Sequence, residues 1–397
     1  MPYALVARPG IRMRSEYFGA LAWSVNPRKL FRLDHAAAAA LRLHSVPRAC
    51  GGAPAAAALG ITEGTWRLAV AGLQDQGILE PAAAAPVPIT TRDIALAEDP
   101  GPGGLQGTAV LKPFWVHIQP FTRCNQHCIH CYCDGGPKGD PFLMPAATWL
   151  DVIGMLDDYG VFDVYVTGGE SLLYDGFFTI AEDILARGMG FGVSTNATVL
   201  SPPVLARLRA LQIETVQVSL DGAHAPVHEH IRGAPGSFTR TCDGIRRIAE
   251  FSTPVINTVV NQVNRHELED IVKLGRDLGC GRFKFFPQKP AGRGADAALT
   301  LTDEEITGQL VPECGRLAAA LGVEIETIDP ARPCGSGSIG FALDQNADIY
   351  PCIFGVADPS QRCGNILTDS LDRVWFGSPV LAAFRGEPAT PCRRCER

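Results

Sequence analysis

Three cysteines stand within eight residues, Cys124-Asn-Gln-His-Cys128-Ile-His-Cys131, directly after a short apolar stretch, Trp115 to Phe121, that reads as a strand. A loop this short can wrap one inorganic centre, so the chain on either side has to present it at a strand end. Three is the informative number. A [4Fe–4S] cube normally takes four thiolates, so three leave one iron open to an exogenous ligand, and no fourth cysteine follows at ferredoxin-like spacing. Zinc, with His127 or His130 as fourth ligand, is the alternative. The Cys-x3-Cys-x2-Cys order favours iron–sulfur, and Cys133 reads as a neighbouring thiol.

The compartment bears on the other cysteines, of which the 397 residues hold 13 in all. Met1 to Tyr17 lacks the basic head and apolar middle of a signal peptide, and no apolar run approaches the ~18 residues that span a bilayer. A cytoplasmic location without membrane attachment is expected, where thiols serve metals or catalysis more often than disulfides. Net charge −7, from 35 basic and 42 acidic residues, excludes a polybasic nucleic-acid binder. With 46 % hydrophobic residues the chain can bury the cores of two or three domains.

Between about Phe114 and Gln288 short apolar strands alternate with helix-length segments, the mark of successive βαβ units on a parallel sheet. Six strands are expected: Trp115 to Phe121, Val161 to Thr167, Gly190 to Thr195, Thr215 to Leu220, Pro254 to Val260 and Arg282 to Phe286. Right-handed crossovers would curl them into a partial (β/α)6 barrel of the TIM type, with chemistry at the strand C-termini. Ahead of it, Arg12 to Arg14, Ala20 to Val25 and Leu30 to Leu33 read as strands. Asp34 caps a helix over Ala36 to Leu43, a second covers Ala55 to Leu59, and Thr62 opens a third that Gly77 ends. The expected organisation is an α+β winged-helix module at 1–82, a Pro/Gly/Ala linker at 83–110, the α/β barrel at 111–295, a helical bridge at 296–330 and a Cys-bearing tail at 331–397.

The three-cysteine loop at the end of a first barrel strand resembles the defining motif of the radical SAM superfamily. Gly168-Gly169-Glu170 closes the second strand and resembles the family's glycine-rich segment for the amino group of S-adenosylmethionine; Ser194-Thr195-Asn196 ends the third strand, and Ser219-Leu220-Asp221-Gly222, followed by His228 and Arg232-Gly233, resembles the fourth-strand segment of the family's peptide-modifying branch. The resemblance implies a [4Fe–4S] cluster on Cys124, Cys128 and Cys131, with S-adenosylmethionine on its open iron. Reduction then yields a 5′-deoxyadenosyl radical that abstracts a substrate hydrogen. Residue chemistry agrees. Glycines 168 and 169 let backbone carbonyls approach an ammonium, Glu170 adds an anionic acceptor, Ser194, Asn196 and Ser219 suit a ribose or carboxylate, and Arg232 suits a bidentate grip on a carboxylate.

Cys334 and Cys352 flank a stretch that reads as a hairpin around Gln345-Asn346-Ala347-Asp348, and Cys392-Arg-Arg-Cys395 lies near the chain end. Four thiolates complete a second cluster, and zinc fits the count equally. With Tyr350-Pro351-Cys352, Gly364-Asn365-Ile366 and Trp375, the tail resembles the twitch form of the SPASM domain, which implies one auxiliary [4Fe–4S] cluster on Cys334, Cys352, Cys392 and Cys395. Ala347 stands where that family usually has glycine. Asp134 and Cys363 are the candidates for a catalytic proton or hydrogen role.

Residues 1 to 80 carry nine Lys/Arg against five acids, without the clustered stripe of a phosphate-binding face. Pro9-Gly10-Ile11-Arg12, Tyr17-Phe18-Gly19-Ala20 and Leu73 to Leu79 resemble the RiPP recognition element, which pairs a precursor peptide's leader with a sheet edge. The combined reading is a radical SAM enzyme that crosslinks or oxidises a ribosomally made precursor peptide after binding its leader. It draws electrons from a flavodoxin or ferredoxin and uses no nucleic acid. The competing readings are a radical SAM enzyme acting on a tetrapyrrole or other small cofactor precursor, and an iron–sulfur DNA-binding regulator.

Overall fold

The computed structural model describes residues 5–7, 11–16, 19–25, 28–44, 61–81, 90–92, 110, 112–140, 142–328 and 334–386. The chain divides into two compact units, Met1–Leu105 and Gln106–Arg397.

In the first unit β1 (Leu5–Ala7) pairs antiparallel with β5 (Leu79–Pro81). A four-stranded sheet runs in the order β4 (Arg28–Leu33), β3 (Gly19–Val25), β2 (Ile11–Glu16), β6 (Thr90–Arg92). Asp34 caps α1 (His35–His44), its Oδ1 accepting from the Ala37 amide at 2.8 Å. Thr62 caps α2 (Glu63–Asp75) in the same way through Thr65. Their apolar faces bury Leu41, Trp66 and Leu73 against Met13, Ala22 and Phe31 of the sheet. Strand β6 corrects the reading of 83–110 as a bare linker: Thr90, Thr91 and Arg92 pair in parallel with Arg12, Met13 and Arg14. A short β-branched run suffices for a ladder once a partner edge is within reach, and the surrounding Ala and Pro hid it. The helix expected at Ala55 to Leu59 lies outside the described residues.

The second unit carries the six expected strands, β7 (Trp115–Ile118), β8 (Asp163–Val166), β9 (Gly190–Thr195), β10 (Thr215–Ser219), β11 (Thr253–Val260) and β12 (Arg282–Pro287), parallel and in sequential order. The crossovers run through α3 (Ala146–Tyr159), α4 (Phe177–Ala186), α5 (Pro202–Ala210), α6 (Ala225–Arg232) with α7 (Ser237–Ala249), and α8 (Leu268–Asp277). Alternate strand residues such as Val116, Val164, Val218 and Phe285 are buried, while Tyr165, Gln217, Ser219 and Lys284 on the opposite face remain half-buried. The barrel interior is therefore a polar concavity, unlike the packed centre of a closed TIM barrel.

Two further parallel strands extend this sheet beyond the six. The bridge runs from a turn at Asp303–Glu305 into α9 (Val311–Leu321), then β13 (Glu324–Thr327) joins β12. At the other end β14 (Gly340–Leu343) pairs with β7, so the first barrel strand is covered on both sides. Trp115 lies so close over Gly340 that a Cβ there would meet its ring at 2.2 Å. Strand β14 turns back into β15 (Asp348–Tyr350), which pairs with β16 (Gly364–Asn365) before α10 (Leu371–Gly377) and α11 (Pro379–Gly386). The expected hairpin is present: Asp344 Oδ1 accepts from the amides of Asn346 and Asp348, each at 2.9 Å, and Ala347 takes φ 62°. That left-handed backbone is the reason glycine is usual at this position.

Candidate functional site

The loop between β7 and α3 has little regular structure of its own and is held from outside. Its Cys124 amide donates to Gly136 O (3.0 Å), His127 N to Arg232 O (3.1 Å) and Ile129 N to Ile231 O (2.9 Å). Arg293 donates from its backbone amide to Cys131 O, and from its guanidinium to Cys128 O and Gly135 O. Close contact without side chains makes this possible. A Cβ on Gly169 would lie 2.0 Å from Arg123 O, and one on Gly233 2.5 Å from His127 O. Gly168, at φ 115°, is the turn that brings the end of β8 under the loop.

Each of the three thiols receives an N–H donor. Gln126 N points to Cys124 Sγ at 3.4 Å, Arg232 Nη1 to Cys128 Sγ at 3.6 Å and Gly135 N to Cys131 Sγ at 3.2 Å. Donors on sulfur are what thiolate ligands of an iron–sulfur cluster require. Burial pushes Cys124 up to about 12 and also raises Cys128, whereas the Cys133 thiol, 3.8 Å from Cys131 Sγ, draws Cys131 down to about 6. Two thiols that stay protonated in the bare protein ionise when a metal displaces the proton. The donor set thus fits a cluster on Cys124, Cys128 and Cys131, with Cys133 engaged as the hydrogen-bond partner of the third.

The strand-end residues divide by what already occupies them. Glu170 is buried, and its carboxylate is spent inside the protein. Oε1 accepts from Thr195 Oγ1 (2.6 Å) and Leu172 N (3.2 Å), Oε2 from Asn196 N (2.7 Å), and burial raises its pKa. It ties β8 to β9, so the acceptor expected to face a ligand is also engaged within the protein. Asn196 is likewise engaged, its Nδ2 on Asn125 Oδ1 at 2.8 Å and its Oδ1 accepting from Thr198, which links β9 to the cysteine loop. Ser194 and Ser219 are half-buried on the concave face. Ser219 stands beside Asn257, whose Oδ1 is buried without a partner.

Arg232 does not offer the open fork expected of it. Its Nη2 is 2.7 Å from Asp221 Oδ2 and its Nη1 faces Cys128. Asp221, wholly buried, also takes His130 Nε2 at 2.7 Å and the Val259 amide at 2.9 Å, while its own amide donates to His228 Nδ1 at 3.2 Å. Burial works against its charge, but Arg232 and His130 outweigh that and hold the carboxylate well below its usual range. His228 accepts at Nδ1, so its proton sits on Nε2; burial pushes it down to about 3 and it stays neutral. Sequence reading singled out Arg232 and His228 but passed over the roles of Asp221 and His130, whose meeting is between elements 91 positions apart.

Of the proton or hydrogen candidates, Asp134 is exposed, with Arg293 Nη1 3.8 Å away. Cys363 donates to Gln361 O at 3.4 Å, and burial pushes it up to about 11, so it is a thiol at neutral pH. Cys352 is buried and Cys334 exposed; Cys392 and Cys395 lie outside the described residues.

Comparison with known proteins agrees with this geometry. Residues 118–275 match the model of the radical SAM superfamily, and residues 334–396 that of the SPASM iron–sulfur cluster-binding domain. The chain is 31 % identical over 298 residues to the mycofactocin maturase MftC of Mycobacterium ulcerans, covering 68 % of this chain and 77 % of that one. It is 32 % identical over 178 residues to the AdoMet-dependent heme synthase of Methanosarcina barkeri, covering 44 % of this chain and 50 % of the other. In fold it is similar to Streptococcus suis SuiB bound to precursor peptide SuiA, with TM-score 0.74 and 16 % identity, over 96 % of this chain and 91 % of that one.

Proposed function

Because the chain belongs to the radical SAM superfamily and carries a SPASM domain, we propose that this enzyme binds a ribosomally made precursor peptide by its leader and crosslinks or oxidises it. One observation carries the reading. The likeness to SuiB, solved with its precursor peptide, covers 96 % of the chain and so takes in the N-terminal unit, whereas the likenesses to two heme synthases cover 44 % and 69 % of it. In that unit β6 covers one edge of the sheet. Strand β4 stands at the other end of this sheet, the kind of position where β-augmentation adds a peptide strand.

Cys124, Cys128 and Cys131 would hold the [4Fe–4S] cluster. Gly168 and Gly169 would offer backbone carbonyls to the amino group of S-adenosylmethionine, and Ser194 and Ser219 would offer hydroxyls to it. When bound, the cluster and S-adenosylmethionine together supply a 5′-deoxyadenosyl radical that takes a hydrogen from the substrate. The protein's own part is to bind, orient and exclude water. Glu170 and Asn196 fix the strand ends under the loop, and the polar concave face of β8 to β12 receives the reacting segment. The C-terminal cysteines Cys334, Cys352, Cys392 and Cys395 would hold an auxiliary cluster, which would supply an electron acceptor near the substrate. Asp134 and Cys363 remain the groups proposed to exchange a proton or hydrogen.

No helix among the described residues is long and apolar enough to cross a membrane. We place the enzyme in the cytoplasm, where cysteines serve metal centres more often than disulfides and a flavodoxin or ferredoxin delivers electrons. Mass spectrometry of a short precursor peptide encoded beside this chain, before and after co-expression, tests the proposal. A defined mass change that requires both the leader and residues 1–105 is expected. Full turnover of a tetrapyrrole precursor without any peptide would overturn it.

A further inference from the structure

The hydrogen bond from Arg232 to Cys128 belongs to a construction larger than ligand binding needs. The C-terminal end of α6 is fastened to the cysteine loop on both sides of Cys128, through His127 N to Arg232 O and Ile129 N to Ile231 O. From that anchor the Arg232 side chain, 7 % exposed, lays Nη1 on Cys128 Sγ and Nη2 on Asp221. Asp221 is fixed in turn: its Oδ1 accepts from Val259 N, its carbonyl from Asn264 Nδ2 at 3.0 Å, and its Oδ2 also from His130, the residue before Cys131. A buried cation is thus held by three elements against one particular sulfur.

We propose that Arg232, positioned by Asp221, sets the reduction potential of the iron–sulfur centre through Cys128. A cluster gains negative charge on reduction, and a cationic N–H donor on a ligating sulfur stabilises the reduced form most. In this buried site the charge is screened less than at the surface, and Asp221 offsets part of it. Arg232 therefore raises the potential and Asp221 moderates it. The inference rests on the reading that Cys128 is an iron ligand.

The experiment is an anaerobic redox titration, followed by the electron paramagnetic resonance signal of the reduced centre. It is run in a Cys352→Ala background so that only the first cluster contributes. Arg232→Gln is expected to make reduction at least about tenfold less favourable, a shift of about 59 mV to lower potential for one electron. Arg232→Lys keeps the charge without the fork and falls part of the way. Asp221→Asn removes the anion but keeps a side-chain oxygen that can accept from Arg232 Nη2 and hold it on Cys128, and it shifts the potential upward. Opposite signs for the two positions are the signature, because a merely structural loss at either site has no reason to produce them. If Arg232→Gln binds no iron, the contrast between Arg232→Lys and Asp221→Asn decides. Potentials at the wild-type value, or shifts of the same sign, overturn the proposal. Cys128→Ala tests the underlying reading separately: retention of the signal would show that Cys128 is no ligand.

Discussion

Gly169→Ala adds one methyl group where the structure has no room for it. The new Cβ would stand 2.0 Å from Arg123 O, against at least 3.4 Å for an ordinary contact, so the two backbones must part by about 1.4 Å. The obstacle is a carbonyl that also accepts from the Glu170 amide at 3.0 Å, so no flexible side chain can swing away. Overpacking costs about 1–3 kcal/mol, and the strained or broken neighbouring hydrogen bond about 1 kcal/mol more. A loss of about 2–4 kcal/mol is expected, together with displacement of the residue just before Cys124. Gly72→Ala is the matched control, since it lies inside α2 with nothing within 4 Å of its Cβ and should gain about 1 kcal/mol in helix propensity. Urea unfolding of both variants measures the stabilities, and iron analysis after anaerobic reconstitution measures the site. The reasoning fails if Gly169→Ala unfolds at the wild-type urea concentration and binds a full complement of iron.

The other predictions concern protons and iron. His228 is held at about 3 in the folded protein and returns to about 6.5 when unfolded. Between those values the unfolded chain binds more protons, so this stability is complete above about pH 6.5 and is lost as pH falls, by about 1.4 kcal/mol per unit at most. Denaturation midpoints from pH 7 to 5 should therefore fall more steeply for wild type than for His228→Asn; equal slopes would contradict the assignment. Iron analysis of the reconstituted enzyme should find about eight irons in wild type and about four in Cys352→Ala, as two cubes require. About four in both would remove the auxiliary cluster.

What could be read from the sequence was local in its physics. Three thiols in one loop declare a metal centre because ligand spacing is a property of neighbouring residues. The strands from Trp115 to Pro287 declare themselves because short apolar runs alternate with helix-length segments, the pattern of successive βαβ units. Asp34 and Thr62 mark helix starts for a similar reason, since a cap satisfies amides only three residues ahead. Strands Thr90–Arg92 and Glu324–Thr327 escaped notice because a short edge strand owes its existence to the partner it pairs with. The identity of the useful groups was decided the same way. Glu170 and Asn196 have the chemistry of ligand-binding residues, yet tertiary structure gives their oxygens and amide to Thr195, Thr198 and Asn125. Asp221 looked like part of a strand-end motif and proved to be the buried anion that joins His130 to Arg232. The cysteine spacing by itself favoured an iron–sulfur centre over zinc. Only the fold decided which charges surround that centre, because electrostatic partners in a buried site are chosen by distance in space, which the order of residues along a chain does not encode.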